Sequence, residues 1–184
     1  MPDRLLTAVS LAATTRDATF TQLEEEVIGL FDSLRNPVLR YLLGIGLAME
    51  DAEEILQETF LALFRHLREG KPRENLRGWV FRVAHNLGLK RRGSLIRRSG
   101  AAVDAPGGLA DPAPNPEDQM ANAQRHARLL AVVSALPEQD QACLHLRAEG
   151  LRYREIAGIV GISLGAVSAS LTRSMARMAR AAER

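Results

Sequence analysis

Asn75-Leu76-Arg77-Gly78-Trp79-Val80-Phe81-Arg82-Val83-Ala84-His85-Asn86-Leu87, followed by Lys90-Arg91-Arg92, sets amides, guanidinium groups and aromatic rings at helical spacing. Leu76, Val80, Val83, Ala84 and Leu87 predict one buried face, which leaves Trp79, Arg82, His85, Asn86, Lys90 and Arg91 largely outside it. Asn75 stands where an N-cap belongs. Past Leu87 the helix turns basic and meets no acid before Asp104. Such a run suits contacts to phosphate. The same pattern also fits a half-buried tryptophan and a solvated helix end, where cations favour the helix dipole. A nucleic-acid reading therefore needs a second, independent signature elsewhere in the chain.

The elements that must carry this stretch are helical. The chain has 184 residues, 46% of them apolar and only 4% aromatic, a balance that favours helix bundles over sheets. Net charge is only +2, so attraction to a polyanion must come from local segregation. Acids crowd Glu24–Glu26 and Glu50–Glu58, and bases crowd Lys90–Arg98 and Arg173–Arg180. Cys143 is the only cysteine, which excludes an internal disulfide framework. Cys143, His85 and the carboxylates show no nucleophile, metal or phosphate-loop spacing, so no enzyme, metal or cofactor is expected. No apolar run reaches membrane-spanning length and Met1–Ala18 lacks a secretion-signal core, which predicts a cytoplasmic protein without membrane insertion.

The expected fold is all-α. Two small helical domains, 19–98 and 116–184, are joined by a flexible Pro/Gly/Ala linker over 99–115 and preceded by a flexible extension over 1–18. Thr19 or Thr21 starts a helix that Asn36-Pro37 breaks, and Val38 to Gly46 forms a second. From Met49, the residues Ala52, Ile55, Leu56, Thr59, Phe60, Leu63 and Leu67 form one apolar face. The opposite face holds Asp51, Glu54, Gln57, Glu58, Leu61 and Arg65, with His66 expected in solvent. An acidic face beside so basic a neighbour fits docking onto a basic partner. Asn115-Pro116 opens a helix that continues to Leu136.

After Leu136-Pro137 a helix buries Ala142, Cys143 and Leu146 and ends at Gly150. A short helix over Tyr153–Val160, a turn at Gly161-Ile162 and a Ser163-capped final helix make a helix-turn-helix, with Ile156, Val160, Ile162, Val167 and Leu171 as its small core. Its second helix would offer Gly165, Ser168, Ala169, Thr172, Arg173 and Arg177 to a major groove. A helical hairpin that binds no DNA is the alternative.

Three blocks now resemble one family, the extracytoplasmic-function sigma factors, bacterial relatives of the primary sigma factor, over about Leu30 to Arg180. Asp51 to Phe60 is similar to the segment that docks on the clamp helices of the largest polymerase subunit, and the resemblance implies contacts there from Asp51, Glu54, Gln57, Glu58 and Leu61. Asn75 to Asn86 is similar to the segment that recognises and melts the minus-ten element, implying roles for Asn75, Arg77, Trp79, Arg82, His85, Asn86, Lys90, Arg91 and Arg92. Leu136-Pro137, Tyr153 to Ala157 and Gly161-Ile162-Ser163 are similar to the minus-thirty-five domain, implying contacts from Arg152, Arg154, Ser163, Gly165, Ala166, Ser168, Ala169, Thr172, Arg173 and Arg177. The resemblance further implies core RNA polymerase, including the flap of its second large subunit, promoter DNA and a cognate anti-sigma factor as partners, with the linker in the RNA exit path. Aromatic, Asn and Arg side chains suit an unpaired strand that must be stacked and read.

The sequence departs from the family at Ser168 and Ser170, where Lys and Arg are usual, at Ala166, usually Thr, and at Arg152, where a capping Ser is common. Direct base contacts are then few, and binding there rests on arginines, the helix N-terminus and DNA shape. The alternatives are a sigma-like mimic or anti-sigma-binding decoy that opens no promoter, and a helix-turn-helix repressor.

Overall fold

A computed structural model describes residues 3–99 and 126–182, with side chains described over 21–97 and 126–182. The helices are α1 (Asp3–Gly44), α2 (Met49–Arg68), α3 (Leu76–Ser99), α4 (126–134), α5 (Glu138–Ala148), α6 (Tyr153–Val160) and α7 (Leu164–Ala182), and no strand occurs among the described residues. The expected linker from residue 100 onward and the Asn115-Pro116 cap lie outside the described residues.

On α2 the seven residues expected to face inward are the seven that are buried. Glu50 and Asp51 stand in its first turn and Arg65, His66 and Arg68 in its last, so both ends complement the helix dipole.

The break expected at Asn36-Pro37 is absent, and α1 is helical through the stretch expected to be an extension. A proline inside a helix forfeits a hydrogen bond and costs roughly 3 kcal/mol. Around it Leu34, Val38, Leu39, Tyr41 and Leu42 are buried, and each large apolar side chain so placed contributes roughly 1.5–3 kcal/mol. Burial outweighs the local penalty, so the helix runs on to Gly44.

α6 and α7 are joined by Gly161-Ile162-Ser163 and bent by 103°. Gly161 takes the left-handed conformation (φ 75°) that ends α6, and Ser163 Oγ accepts the Ala166 N–H at 3.1 Å to start α7. Ile156, Ile159, Val167 and Leu171 fill the small core, with Val160 and Ile162 only partly covered. At the start of α6 the Glu155 carboxylate accepts the Arg152 N–H at 2.7 Å. An arginine side chain has only donors, so the reciprocal half of that cap is missing.

The two halves pack on each other. Leu146, Leu151, Ile156 and Ile159 belong to the same apolar cluster as Val38, Leu42 and Phe81. α5 lies against α1 and α6 against α3. Arg40 donates from Nε and Nη2 to the two Glu149 carboxylate oxygens at 2.9 and 2.7 Å. His145 on α5 is largely buried with its ring against Gly44 at the end of α1.

Candidate nucleic-acid and protein interface

α3 is held by both halves of the molecule. Asn75, with φ 52°, caps it by accepting the Gly78 N–H on Oδ1 at 3.0 Å. Gly78 allows this close approach, because a Cβ there would fall 2.5 Å from Asn75 Nδ2. Val80, Phe81, Ala84, His85 and Gly88 are buried, whereas Leu76, Val83 and Leu87 are only partly so. The inward arc is therefore wider than the single stripe expected, because α2 covers one side and α6 another.

His85 is a correction to the expected reading face. It is 4% exposed, and its Nδ1 lies 2.5 Å from the Tyr41 hydroxyl. Burial pushes the Tyr41 phenol well above its ordinary value and holds the His85 imidazolium pKa below its own. A protonated phenol donating to the neutral ring fits both shifts, and His85 thereby serves the core. Phe81 is buried edge-on against Tyr41, with ring centroids 5.9 Å apart. Trp79 is half-buried, its ring 4.7 Å from that of His66. His66 was expected in solvent, yet its Nε2 lies 2.8 Å from the Pro72 carbonyl oxygen.

The basic residues divide. Arg82, Asn86 and Lys90 are exposed, and Arg82 and Lys90 form no ion pair among the described residues. Arg77 donates to the Glu149 carbonyl in the other half. Arg91 was expected to face outward, but it donates to Asp51 Oδ1 at 2.6 Å and lies 2.7 Å from Glu54 Oε2, both on α2. Both carboxylates raise its pKa, Glu54 most. Arg92 donates to Glu138 Oε1 on α5 at 2.8 Å. The start of α3 thus faces α6 across a shallow cleft of about 260 Å³, with Trp79 and Arg82 on one wall and Arg154 and Glu155 on the other.

α2 presents the complementary surface. Glu54, Gln57, Glu58 and Leu61 are exposed, Glu54 and Leu61 by more than half, and Asp51 is half-covered beneath Arg91. An exposed leucine within carboxylates and an amide is suited to a basic protein surface with an apolar notch.

On α7 the residues Gly165, Ser168, Ala169, Thr172 and Arg177 are exposed, and Ala166 is half-covered. Arg152 and Arg154 are exposed at the start of α6. One departure and one expected contact read differently in three dimensions. Ser170 is fully buried against α5, and its Oγ has no hydrogen-bond partner among the described residues, so its side chain does not face a groove. Arg173 donates to the buried Asp140 of α5 at 3.0 Å, a contact within this half. Glu138, Glu149, Arg40 and His145 were not anticipated at all.

Two buried histidines make the fold acid-sensitive. Burial lowers the pKa of His85 and, as the first cause, that of His145, where Glu149 and the Gly44 backbone oppose the shift without cancelling it. Each ring then binds fewer protons when folded, so its contribution is complete above the ordinary value of about 6.5 and fades as pH falls through it. Thermal melts should show a lower Tm at pH 5.5 than at pH 7.5, with the loss reduced in His145→Gln. A Tm that does not change between these pH values would contradict this.

Among the described residues no single helix is long and apolar enough to cross a membrane. Residues 30–97 match the family model Sigma-70 region 2, and residues 126–178 match Sigma-70, region 4. The chain is 35% identical over 126 residues to the ECF RNA polymerase sigma factor SigE of Mycolicibacterium smegmatis, covering 67% of this chain and 48% of that protein. It therefore spans about half the length of this relative. Two solved structures share the fold. The sigma factor RpoE in complex with the anti-sigma factor NepR from Bartonella quintana aligns with a TM-score of 0.64 at 16% identity, over 88% of this chain and 97% of that one. CnrH in complex with the cytosolic domain of CnrY aligns with a TM-score of 0.61 at 18% identity, over 88% and 92%.

Proposed function

The chain belongs to the sigma-70 family as a member of its extracytoplasmic-function type, and from that premise we propose that it loads onto core RNA polymerase and directs it to a promoter set. The observation that carries this reading is the exposed Glu54, Gln57, Glu58 and Leu61 ridge on a helix whose other face is wholly packed. That ridge meets the clamp helices of the largest subunit, and α4 to α7 meet the flap and the minus-thirty-five element. Trp79, Arg82, Asn75 and Asn86 handle the unpaired minus-ten strand. The chemistry of transcription is the polymerase's own, and this chain contributes binding and placement in the cytoplasm, without a metal or cofactor.

A second reading, the mimic that opens no promoter, rested on serines in the recognition helix. With Ser170 turned inward, only Ser168 still supports it. An anti-sigma factor is the expected antagonist in either case.

Trp79→Ala separates these readings. Stacking a base on an aromatic ring contributes roughly 1–3 kcal/mol. Holoenzyme should form normally while permanganate reactivity at the melted promoter falls about fivefold or more. Unchanged reactivity would remove Trp79 from strand melting, and core binding by the wild-type chain without any opening would favour the mimic.

A further inference from the structure

Two guanidinium groups that cross between the halves end on carboxylate, Arg40 on Glu149 and Arg92 on Glu138. A third crossing group does not. Arg77, at the start of α3, donates from Nη2 to the Glu149 main-chain carbonyl. It lines a cavity of about 620 Å³ together with Asn75, Gly150, Arg152, Arg154 and Glu155. None of Arg77, Arg152 and Arg154 forms an ion pair among the described residues. Glu155 is the single carboxylate on the wall, and one of its oxygens already accepts the Arg152 N–H at 2.7 Å. We propose that this cavity is a binding site for a small polyphosphate anion, held by Arg77 from one half and by Arg152 and Arg154 from the other.

Local geometry builds the site. Gly150 has φ 83°, which favours glycine, and the turn it permits brings the start of α6 up to Arg77. A Cβ at Gly150 would stand 3.7 Å from Arg77 Nη2. The bond to the Glu149 carbonyl fixes the Arg77 fork before a ligand arrives, which lowers the entropy cost of binding. Its other N–H groups still have donors to offer. Three guanidinium groups around one cavity repel each other. An anion with several acceptor oxygens offsets that repulsion and matches their planar forks. The volume lies within the range of small-molecule sites, about 300–1,000 Å³. The adjoining cleft of about 260 Å³ shares Asn75, Arg154 and Glu155 and holds Trp79, so a base attached to the phosphates has a place beside an aromatic ring. An inorganic chain and a nucleoside polyphosphate present the same chemistry to the arginines. The site goes beyond the promoter reading and does not depend on it. Its occupancy withdraws Arg77, Arg152 and Arg154 from any DNA, so a soluble polyphosphate competes with DNA at those side chains.

Isothermal titration of the full chain with sodium tripolyphosphate, at constant ionic strength and without divalent cations, tests the site. Saturable binding of one ligand per chain is expected. Arg152→Gln with Arg154→Gln, both exposed and outside the core, should weaken it by about tenfold or more, as loss of hydrogen bonds to a charged group does. Arg77→Gln, in the other half, should weaken it by a comparable factor. Arg177→Gln with Arg180→Gln removes the same charge from a separate arginine-lined groove between α4 and α7, and should change affinity by less than about twofold. Absence of saturable binding would overturn the proposal. So would equal losses in both double variants, which mark attraction to net charge alone, or an Arg77→Gln variant that binds as wild type, which removes the bridge between halves. Adenosine triphosphate then identifies the source. Affinity equal to that of tripolyphosphate assigns the site to inorganic chains, and tighter binding that Trp79→Leu abolishes assigns it to nucleotides. No polymerase or promoter enters the titration, so its failure leaves the promoter reading standing.

Discussion

Gln57→Ala combined with Glu58→Ala is expected to weaken association with core RNA polymerase by at least about 30-fold, since truncating one side of a desolvated polar pair costs about 2–5 kcal/mol. Both side chains are exposed and form no ion pair among the described residues, and neither lies on the buried face of α2. The fold therefore has no reason to change, and the melting temperature should stay within about 2 °C of wild type, as surface substitutions do. Binding is read by anisotropy of labelled chain titrated with core enzyme. Equal affinity in the variant would remove α2 from the docking surface, whereas a large fall in melting temperature would mean that the two residues support structure.

The largest stability effect belongs to Phe81→Ala. Phe81 is 0% exposed, between Tyr41, which it meets edge-on, and the apolar residues of α1 and α3. Deleting a ring from such a site costs about 3–5 kcal/mol, from lost transfer and from the cavity left behind. For a chain of this size that corresponds to a fall in melting temperature of about 10 °C. Phe81→Leu, which keeps most of the volume, should lose less than half as much. A fall of under about 2 °C for the alanine variant would mean that the ring is not enclosed, and the arrangement of α1 on α3 would then be wrong.

Sequence patterning reads α2 well because that helix has one wet and one dry side, so the 3.6-residue period of Ala52, Ile55, Leu56, Thr59, Phe60, Leu63 and Leu67 is unmixed. It reads α3 less well. There Trp79 on one flank and Phe81 and His85 on another meet different neighbours, and a helix covered on two sides has no single stripe. Pro37 misleads because its penalty is local whereas the burial around it is tertiary. The pairing of Arg91 with Asp51, of Arg92 with Glu138 and of Arg40 with Glu149 joins residues 40, 46 and 109 positions apart. Separations of that length leave no periodic trace. Charge segregation along the chain indicated where basic and acidic surfaces lie, and only the packing shows that they neutralise each other in part.

The helix-turn-helix was legible for a different reason. Gly161 needs a positive φ and Ser163 a helix start, and both demands are local chemistry that a sequence displays directly. Its groove-facing side was less so, since Ser170 and Ser168 differ by two positions and α7 turns one inward and the other out.

In vitro transcription from a supercoiled promoter library, with purified core polymerase and the full chain, tests most directly whether one helix loads the enzyme and its neighbour reads the promoter. Product should appear only when the chain is present, from a restricted set of start sites, and should vanish with the Gln57→Ala and Glu58→Ala pair. Product from core enzyme alone at the same sites, or tight core binding by the chain with no start site used, would contradict it.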